Sequence, residues 1–448
     1  MTESLSEEIN GYCITSIVNT LERDITIDSS HIELEEIDYC NDAALMFTSS
    51  EVETKDRLSK LRDELRTDHL NNEERDSLVK ICEEFNDIFH LSGDTLTFTT
   101  ATEHTIPTPT IDPMREINTK SYRIPEIHRE EVQKQTEQML LDGIIVPSSS
   151  PWNSPILVIP KKTDASGKRK WRIVDFRKFN DVTIGDSFPI RVISEILDAL
   201  GKSKYFSTID CASGFLQVPV KLEDQAKTAF STREGHFQYT RMPFGLKGAP
   251  APFQRLMTTV LSGLQGIKCL VYLDDVIVFG EDLRVHNERL HEVFSRMRKY
   301  NMKLQPEKCD FLRKEVSYLG HVIGQTGVRH DEKRIEAVKE YPETRTTREL
   351  KGFLGLAGYY SRFIPNFSKV AKPLTELLEK KTPYVWNDKT NEAFISLKTL
   401  LTTETLLQYP DFSKTFILTT DASNDAIGVV LSQGSKGTPY RIREQNIE

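Results

Sequence analysis

Between Ile267 and Gly280 the chain reads IKCLVYLDDVIVFG, two adjacent aspartates set between apolar, β-branched runs. Runs of that composition favour strands, and the polar pair between them predicts a β-hairpin with Asp274 and Asp275 at its tip. Asp also prefers turns for purely local reasons, so the pair alone is compatible with a structural turn. Asp210 changes the reading, because it ends the strand-like run YFSTID at 205–210, sixty-four residues before Asp274. A strand-end carboxylate beside a carboxylate-tipped hairpin would gather three acids, and like charges so close repel unless cations lie between them. Hard oxygen ligands suit Mg²⁺, which keeps some waters and takes further ligands from substrate phosphates. Two such ions about 3.5–4 Å apart can activate a hydroxyl and stabilise the leaving oxygen of an in-line displacement. That is the chemistry of nucleotidyl transfer.

Charge is unevenly spread. The whole chain of 448 residues carries −9, but residues 1–55 hold thirteen Asp and Glu against Arg23 and Lys55, which leaves the remainder at about +2. Within that remainder, KKTDASGKRKWRIVDFRKFND at 161–181 has eight basic and three acidic residues around Trp171. Such a cluster could seat phosphates or a single strand, or be a solvated loop. The six cysteines, Cys13, Cys40, Cys82, Cys211, Cys269 and Cys309, include no C-x-x-C pair. This argues against a zinc cage or a dense disulfide framework, and for a reducing compartment. No apolar run approaches the ~18–20 residues of a membrane span, and MTESLSEEINGY lacks the basic and apolar regions of a secretory signal.

Along the chain, residues 1–55 read as an acidic, flexible leader. Leu58, Leu61 and Leu65, then Leu78, Ile81, Phe85 and Ile88, predict two amphipathic helices with Asn71 or Asn72 as a cap between them. Gly93, Pro107, Pro109, Pro113 and Pro125 predict an extended linker over 92–125, followed by a helix at about 126–141. From 144 to 280, short β-rich runs alternate with turns and a few helical stretches, which indicates an α+β domain with an antiparallel sheet. A helix follows at 281–300, a strand at Val316–Ile323, mostly helix over 331–402, and strand, polar turn and strand over 415–432.

Several motifs resemble, in order and spacing, the reverse transcriptase of gypsy-type long-terminal-repeat retrotransposons. They are SPWNSPILVIPKK (150–162), KRKWRIVDFRKFN (168–180), STIDCASGFLQV (207–218), KTAFSTREGHFQY (227–239), RMPFGLKGAPAPFQR (241–255), YLDD (272–275), YLGHVIGQTGV (318–328), LKGFLGLAGYYSRFIPNFS (350–368) and YPDFSKTFILTTDAS (409–423). Only residues 1–55 and 436–448 fall outside the likeness. The resemblance implies an α+β fold: a right-hand polymerase of fingers, palm and thumb, its antiparallel palm sheet backed by helices, plus a partial RNase H-like β-hairpin. The expected division is a leader at 1–55, a helical segment and linker preceding the polymerase at 56–117, fingers and palm at 118–330, thumb and connection helices at 331–405, and a truncated RNase H-like segment at 406–448.

The resemblance also implies roles. Asp210, Asp274 and Asp275 would be the metal-binding carboxylates, with the backbone carbonyl of Cys211 a further ligand, for two Mg²⁺ ions that Mn²⁺ could replace. Lys161 and Arg172 would hold the incoming triphosphate, Lys as a point charge and Arg through two phosphate oxygens. Phe215 would lie under the sugar and exclude a 2′-hydroxyl by steric rejection, with Phe244, Gly245 and Gln254 around the same nucleotide pocket. On periodicity alone Phe215 is equally a core residue. Leu319, Gly320 and His321 would grip the primer end, although His321 reads equally as a surface histidine. Gly248 stands where many relatives have Asn. Expected partners are an RNA template, a DNA primer or template and deoxynucleoside triphosphates, without a membrane, together with other Pol or Gag products in cytoplasmic particles.

Asp421 resembles the first of the four RNase H acids. The tail KGTPYRIREQNIE departs from the family's continuation and lacks the later acidic and His positions, so RNase H activity is expected to be absent. Neither an Asp-Thr-Gly or Asp-Ser-Gly protease triplet nor an integrase-type His/Cys arrangement is present. The chain is therefore expected to be part of a larger Pol product or a truncated copy. Its main rival reading is a catalytically silent, nucleic-acid-binding remnant of a decayed element.

Overall fold

The structure is a computed structural model that describes residues 7–9, 12–14, 55–109, 117–160, 171–189, 200, 203–364, 367–379, 382–402, 409, 414–422, 427–433 and 440–447. Two compact units are present, residues 1–56 and 57–448. The described part of the first is not featureless: β1 (Glu7–Ile9) and β2 (Tyr12–Ile14) pair antiparallel. The rest of the acidic leader lies outside the described residues, as does Lys161.

The second unit opens with helical residues 57–64 and the helix Asn72–Glu84. Asn71 caps that helix as its composition suggests. Its side-chain oxygen accepts the Glu74 N–H at 2.9 Å, and the Glu74 carboxylate accepts the Asn71 N–H at 3.2 Å. This reciprocal arrangement satisfies two donors that the first turn cannot pair internally. Leu61, Leu78, Phe85 and Phe89 are buried in one core with the body of the unit. The stretch expected to be a linker is likewise stitched to that body. The Thr99 N–H donates to the Gln217 carbonyl and the His104 N–H to the Pro219 carbonyl, each at 2.8 Å, and Ile106 is buried. Pro and Gly made this stretch extended, and hydrogen bonds to the Gln217–Lys221 segment made it part of the domain.

The next strands are β3 (Ile145–Pro147), β4 (Ile156–Pro160), β5 (Trp171–Val174), β6 (Tyr205–Asp210), β7 (Phe230–Ser231) and β8 (His236–Tyr239). Then follow β9 (Cys269–Tyr272), β10 (Asp275–Gly280), β11 (Asp310–Arg313), β12 (Glu315–Tyr318), β13 (His321–Gly324) and β14 (Gly327–His330). Four of them form the central antiparallel sheet, ordered β11-β6-β10-β9. Every residue of β10 after Asp275 is buried. Successive side chains point to opposite faces: Val276 and Val278 enter one hydrophobic core, Ile277 and Phe279 the other. A strand covered on both faces reads as a continuous apolar run, which is what VIVF is.

One cover is helical. Pro250–Val260 buries Phe253, Leu256, Met257 and Val260; Leu283–Lys299 buries Leu290, Val293, Phe294 and Met297. Each such side chain contributes roughly 1.5–3 kcal/mol on full burial. The second helix starts where Asp282 accepts the Val285 N–H at 2.8 Å, an N-cap. At Gly280 a Cβ would lie 2.7 Å from the His286 backbone, so only glycine lets β10 and this helix approach so closely. The other cover is the meander β12-β13-β14 with the helices Glu332–Lys339, Thr347–Tyr359, Phe367–Thr375 and Asp388–Thr402. The single strand expected at 316–323 is thus two strands around a turn at Leu319–Gly320.

At the C-terminal end, β15 (Ile417–Ala422), β16 (Ile427–Gln433) and β17 (Tyr440–Ile447) form a three-stranded antiparallel sheet. The expected hairpin is therefore extended by a strand. β17 pairs with β16 from Ile427↔Ile447 to Gln433↔Tyr440, saturating the edge that a two-stranded hairpin would leave open.

Candidate active site

Antiparallel pairing brings the acids together. Asp210, the last residue of β6, stands directly opposite Asp275, the first residue of β10. Directly opposed residues have Cβ atoms about 4.5–5.5 Å apart and project to the same side. Asp275 is thus a strand residue, and the turn itself is Leu273–Asp274, with Leu273 at φ +56°. A bulky residue is rarely found there, and strain at such a point must be held by its surroundings. The hold is Gln254, 3% exposed on the helix Pro250–Val260, whose side-chain oxygen accepts the Leu273 N–H at 2.6 Å. Gln254, expected around the nucleotide pocket, sits behind the acidic turn.

The expected cluster of three acids is arranged differently. Asp210 and Asp275 line one cleft of about 190 Å³ with Asp310, Lys308, Tyr318 and Leu319, while Asp274 lies on the adjoining turn. Lys308 Nζ is 2.9 Å from Asp210 Oδ1, which offsets the repulsion between the opposed carboxylates. Asp310 is paired with Arg313 at 2.9 Å and with Arg66 at 3.5 Å. Neither Lys308 nor Asp310 stood out in the sequence. Only the pairing of β11 with β6 carries them to the acids.

Behind Asp210, Gln217 is fully buried and ties down the following loop. Its amide nitrogen donates to the carbonyls of Ala212 and Lys303, and its oxygen accepts the Lys303 N–H. The Asp210 carbonyl accepts the Gln305 N–H at 2.9 Å. Cys211 is buried, and burial pushes its thiol well above the ordinary range.

Phe215 is half-buried, its ring 5.3 Å from those of both Phe244 and Phe253. Phe215 thus packs partly against the hydrophobic core, as its periodicity suggests. A Cβ at Gly214 would lie 2.8 Å from Phe253. Gly245 has φ +95°, and Asn180 clamps its loop by donating to the Gly245 carbonyl at 2.8 Å and accepting the Lys247 N–H at 2.7 Å. Arg172 lies on β5 opposite Ile159. Asp421 lies on β15 opposite Gly428.

At the second turn, Leu319 and Gly320 have φ +50° and +79°, the pattern of a type I′ hairpin turn. His321 is 2% exposed, its ring stacked on Tyr359 and beside Tyr360 and Phe363. It is therefore a core residue rather than a surface histidine. Tyr318 joins the two turns: its hydroxyl donates to the Asp275 carbonyl at 3.2 Å.

A family profile described as "Reverse transcriptase (RNA-dependent DNA polymerase)" matches residues 159–323. A second, "RNase H-like domain found in reverse transcriptase", matches residues 386–443. The chain is 45% identical over 386 residues to the retrovirus-related Pol polyprotein from transposon 297 of Drosophila melanogaster, a match covering 86% of this chain and 36% of that protein. It is 38% identical over 395 residues to the Pol polyprotein from transposon gypsy of the same organism, covering 85% and 37%. The chain thus spans about a third of the length of the curated relatives it matches. Among solved structures, the foamy viral protease-reverse transcriptase dRH in complex with double-stranded DNA superposes with a TM-score of 0.75 at 26% identity, covering 88% of this chain and 67% of that one. With its antiparallel acid-bearing sheet, helical cover and RNase H-like strands, the chain belongs to the reverse transcriptase family of gypsy-type retrotransposon Pol polyproteins.

Proposed function

We propose that the chain is an RNA-directed DNA polymerase that extends a primer on an RNA or DNA template. The observation that carries this reading is the shared cleft: Asp210 and Asp275 line it together with Leu319 of the second turn, so a primer end at that turn would meet the acids. The donor set fits a hard divalent cation. Carboxylates stand at two rigid strand ends, and a positive charge, Lys308, is already drawn to one of them. Among the described residues no three His, Cys, Asp or Glu side chains converge closely enough to hold an ion unaided, so phosphate and water oxygens would complete its shell. Two Mg²⁺ ions, or Mn²⁺ in their place, would supply activation of the primer 3′-hydroxyl and charge stabilisation at the leaving pyrophosphate.

In this proposal Asp210, Asp274, Asp275 and the Cys211 carbonyl hold the ions. Lys161 and Arg172 bind the triphosphate, and Phe215 with Phe244 walls off the sugar 2′ position. Gln254 acts indirectly, by holding the turn that carries Asp274. Hybrid cleavage is not part of the proposal, because Asp421 is the one RNase H acid the resemblance carries over, and a two-ion site needs several.

The test is primer extension on poly(rA)·oligo(dT) with Mg²⁺ or Mn²⁺, beside the Asp274→Asn protein and a labelled RNA:DNA hybrid. Extension is expected from the native chain, with the hybrid left uncut. The substitution should abolish extension yet change primed-template affinity by less than about twofold, since affinity rests on distributed phosphate contacts. A folded native chain that binds the primed template and does not extend it would instead establish the silent remnant.

A further inference from the structure

The turn Leu319–Gly320 lies between β12 and β13, so its two carbonyls are outside the strand ladder. The helix Thr347–Tyr359 supplies donors for both. The Tyr359 hydroxyl donates to the Leu319 carbonyl at 2.6 Å, and the Tyr360 hydroxyl donates to the Gly320 carbonyl at 3.2 Å. Consecutive residues within a helix point about 100° apart. Two neighbours can straddle one turn here because Tyr360 is the C-cap, where φ −103° and ψ 13° leave helical geometry. Their rings also brace the residue after the turn: Tyr359 stacks on His321 with centroids 5.5 Å apart, and Tyr360 meets it edge-on at 5.8 Å.

Folding of the turn does not call for this arrangement. A type I′ turn with Gly320 in the left-handed region closes a hairpin by itself, and the Gly320 carbonyl also accepts the Asp331 N–H at 3.2 Å. Tyr359 is 41% exposed, so burial alone does not account for its place. On its other side the turn is joined to the acids, because Tyr318, the residue before Leu319, donates to the Asp275 carbonyl. A continuous set of contacts therefore runs from the helix Thr347–Tyr359, through two hydroxyls, the turn and Tyr318, to the strand that carries Asp275.

We propose that Tyr359 and Tyr360 are positioning residues that fasten the primer-facing turn to the helix Thr347–Tyr359, so that the placement of this helix sets how firmly the turn holds a primer end beside Asp210 and Asp275. The proposal rests on the polymerase reading above. It assigns the pair no contact with the reacting atoms.

The experiment compares native protein with Tyr359→Phe, Tyr360→Phe and the double variant, each keeping the rings and removing only hydroxyls. The dissociation constant for a primed RNA template is read by fluorescence anisotropy without nucleotide, beside that for the unprimed single strand, and melting temperature is recorded. Losing one such hydrogen bond should weaken primed-template binding about threefold to tenfold for Tyr359→Phe, and more for the double variant. Single-strand affinity and melting temperature should stay within about twofold and about 2 °C for Tyr359→Phe. In extension assays the KM for primed template should rise by the same factor, with kcat unchanged at saturation. Equal primed-template affinity in native and Tyr359→Phe proteins, or an equal loss on primed and unprimed strands, would overturn the proposal. The binding comparison reads out whether or not the native chain extends, so failure of the polymerase reading is scored separately. If Tyr360→Phe lowers stability, the exposed Tyr359 decides the matter.

Discussion

The turns at Leu273–Asp274 and Leu319–Gly320 both force a leucine to positive φ, yet they are held in opposite ways. The first is fixed from behind by one buried side chain, Gln254, on a helix that forms part of the same core. The second is fixed by two hydroxyls, from a half-exposed and a buried tyrosine, on a helix belonging to the other core. A turn meant to present carboxylates at a constant geometry gains from a rigid amide held by close packing. In the proposed polymerase, a turn that meets a sliding duplex gains from a tether to a neighbouring helix. β10 links the two, since it starts at Asp275 and its first carbonyl accepts the Tyr318 hydroxyl.

The largest effect should come from disturbing what the turns share. Gly280→Ala places a methyl 2.7 Å from the His286 backbone, where no flexible side-chain end can move aside. Overpacking against backbone should cost about 3 kcal/mol or more, and denaturant titration should show the loss with extension and primer binding falling together. If that variant is as stable as the native protein, β10 is not the common support.

Gln254→Leu should separate the turns. It leaves the partly buried Leu273 N–H without its acceptor, a penalty of up to about 1–3 kcal/mol. Extension at saturating primed template should fall roughly ten- to a hundredfold, while the primed-template dissociation constant stays unchanged, the mirror image of Tyr359→Phe. Loss of primer affinity in Gln254→Leu would show the two turns to be one mechanical unit.

A smaller effect is expected from pH. His286 is fully buried beneath the central sheet, its Nε2 2.9 Å from the Ser207 hydroxyl, and burial lowers its pKa from 6.5 to about 4. Burial lowers His104 to about 4 as well, with Asp224 and Asp186 pulling the other way. Between pH 6.5 and 4 the unfolded chain takes up protons that the folded chain refuses. The stability these residues contribute is therefore fully present above about pH 6.5 and declines as pH falls toward 4. Melting curves at pH 7.5, 6 and 5 should show that decline, and His286→Gln should flatten it. A flat native profile would show that neither histidine is held neutral.

Much of the site was legible because its signals are local. β-branched runs around Asp274 and Asp275 specify a hairpin whatever surrounds them, and Asn71 announces a helix start. Other features carried no local signal. The bond from the Leu273 N–H to Gln254 was one of them, because the motif around Gln254 says nothing of which way its side chain turns. His321 looked ambiguous because a lone histidine in a strand carries no record of the tyrosines beside it. Lys308 and Asp310 had only a place in a charged stretch, and the third strand β17 became part of a sheet only through pairing with β16.

By itself the sequence determined the acidic motif, the order of strands and helices, and the family, since propensity, capping and motif spacing all act within a few residues. Tertiary structure alone decided that Asp210 opposes Asp275, that Lys308 offsets them, and that Gln254 and the Tyr359–Tyr360 pair hold the two turns. Each of those contacts joins residues between 19 and 98 positions apart. Their geometry depends on how two cores pack against the two faces of one sheet, and no local preference encodes that.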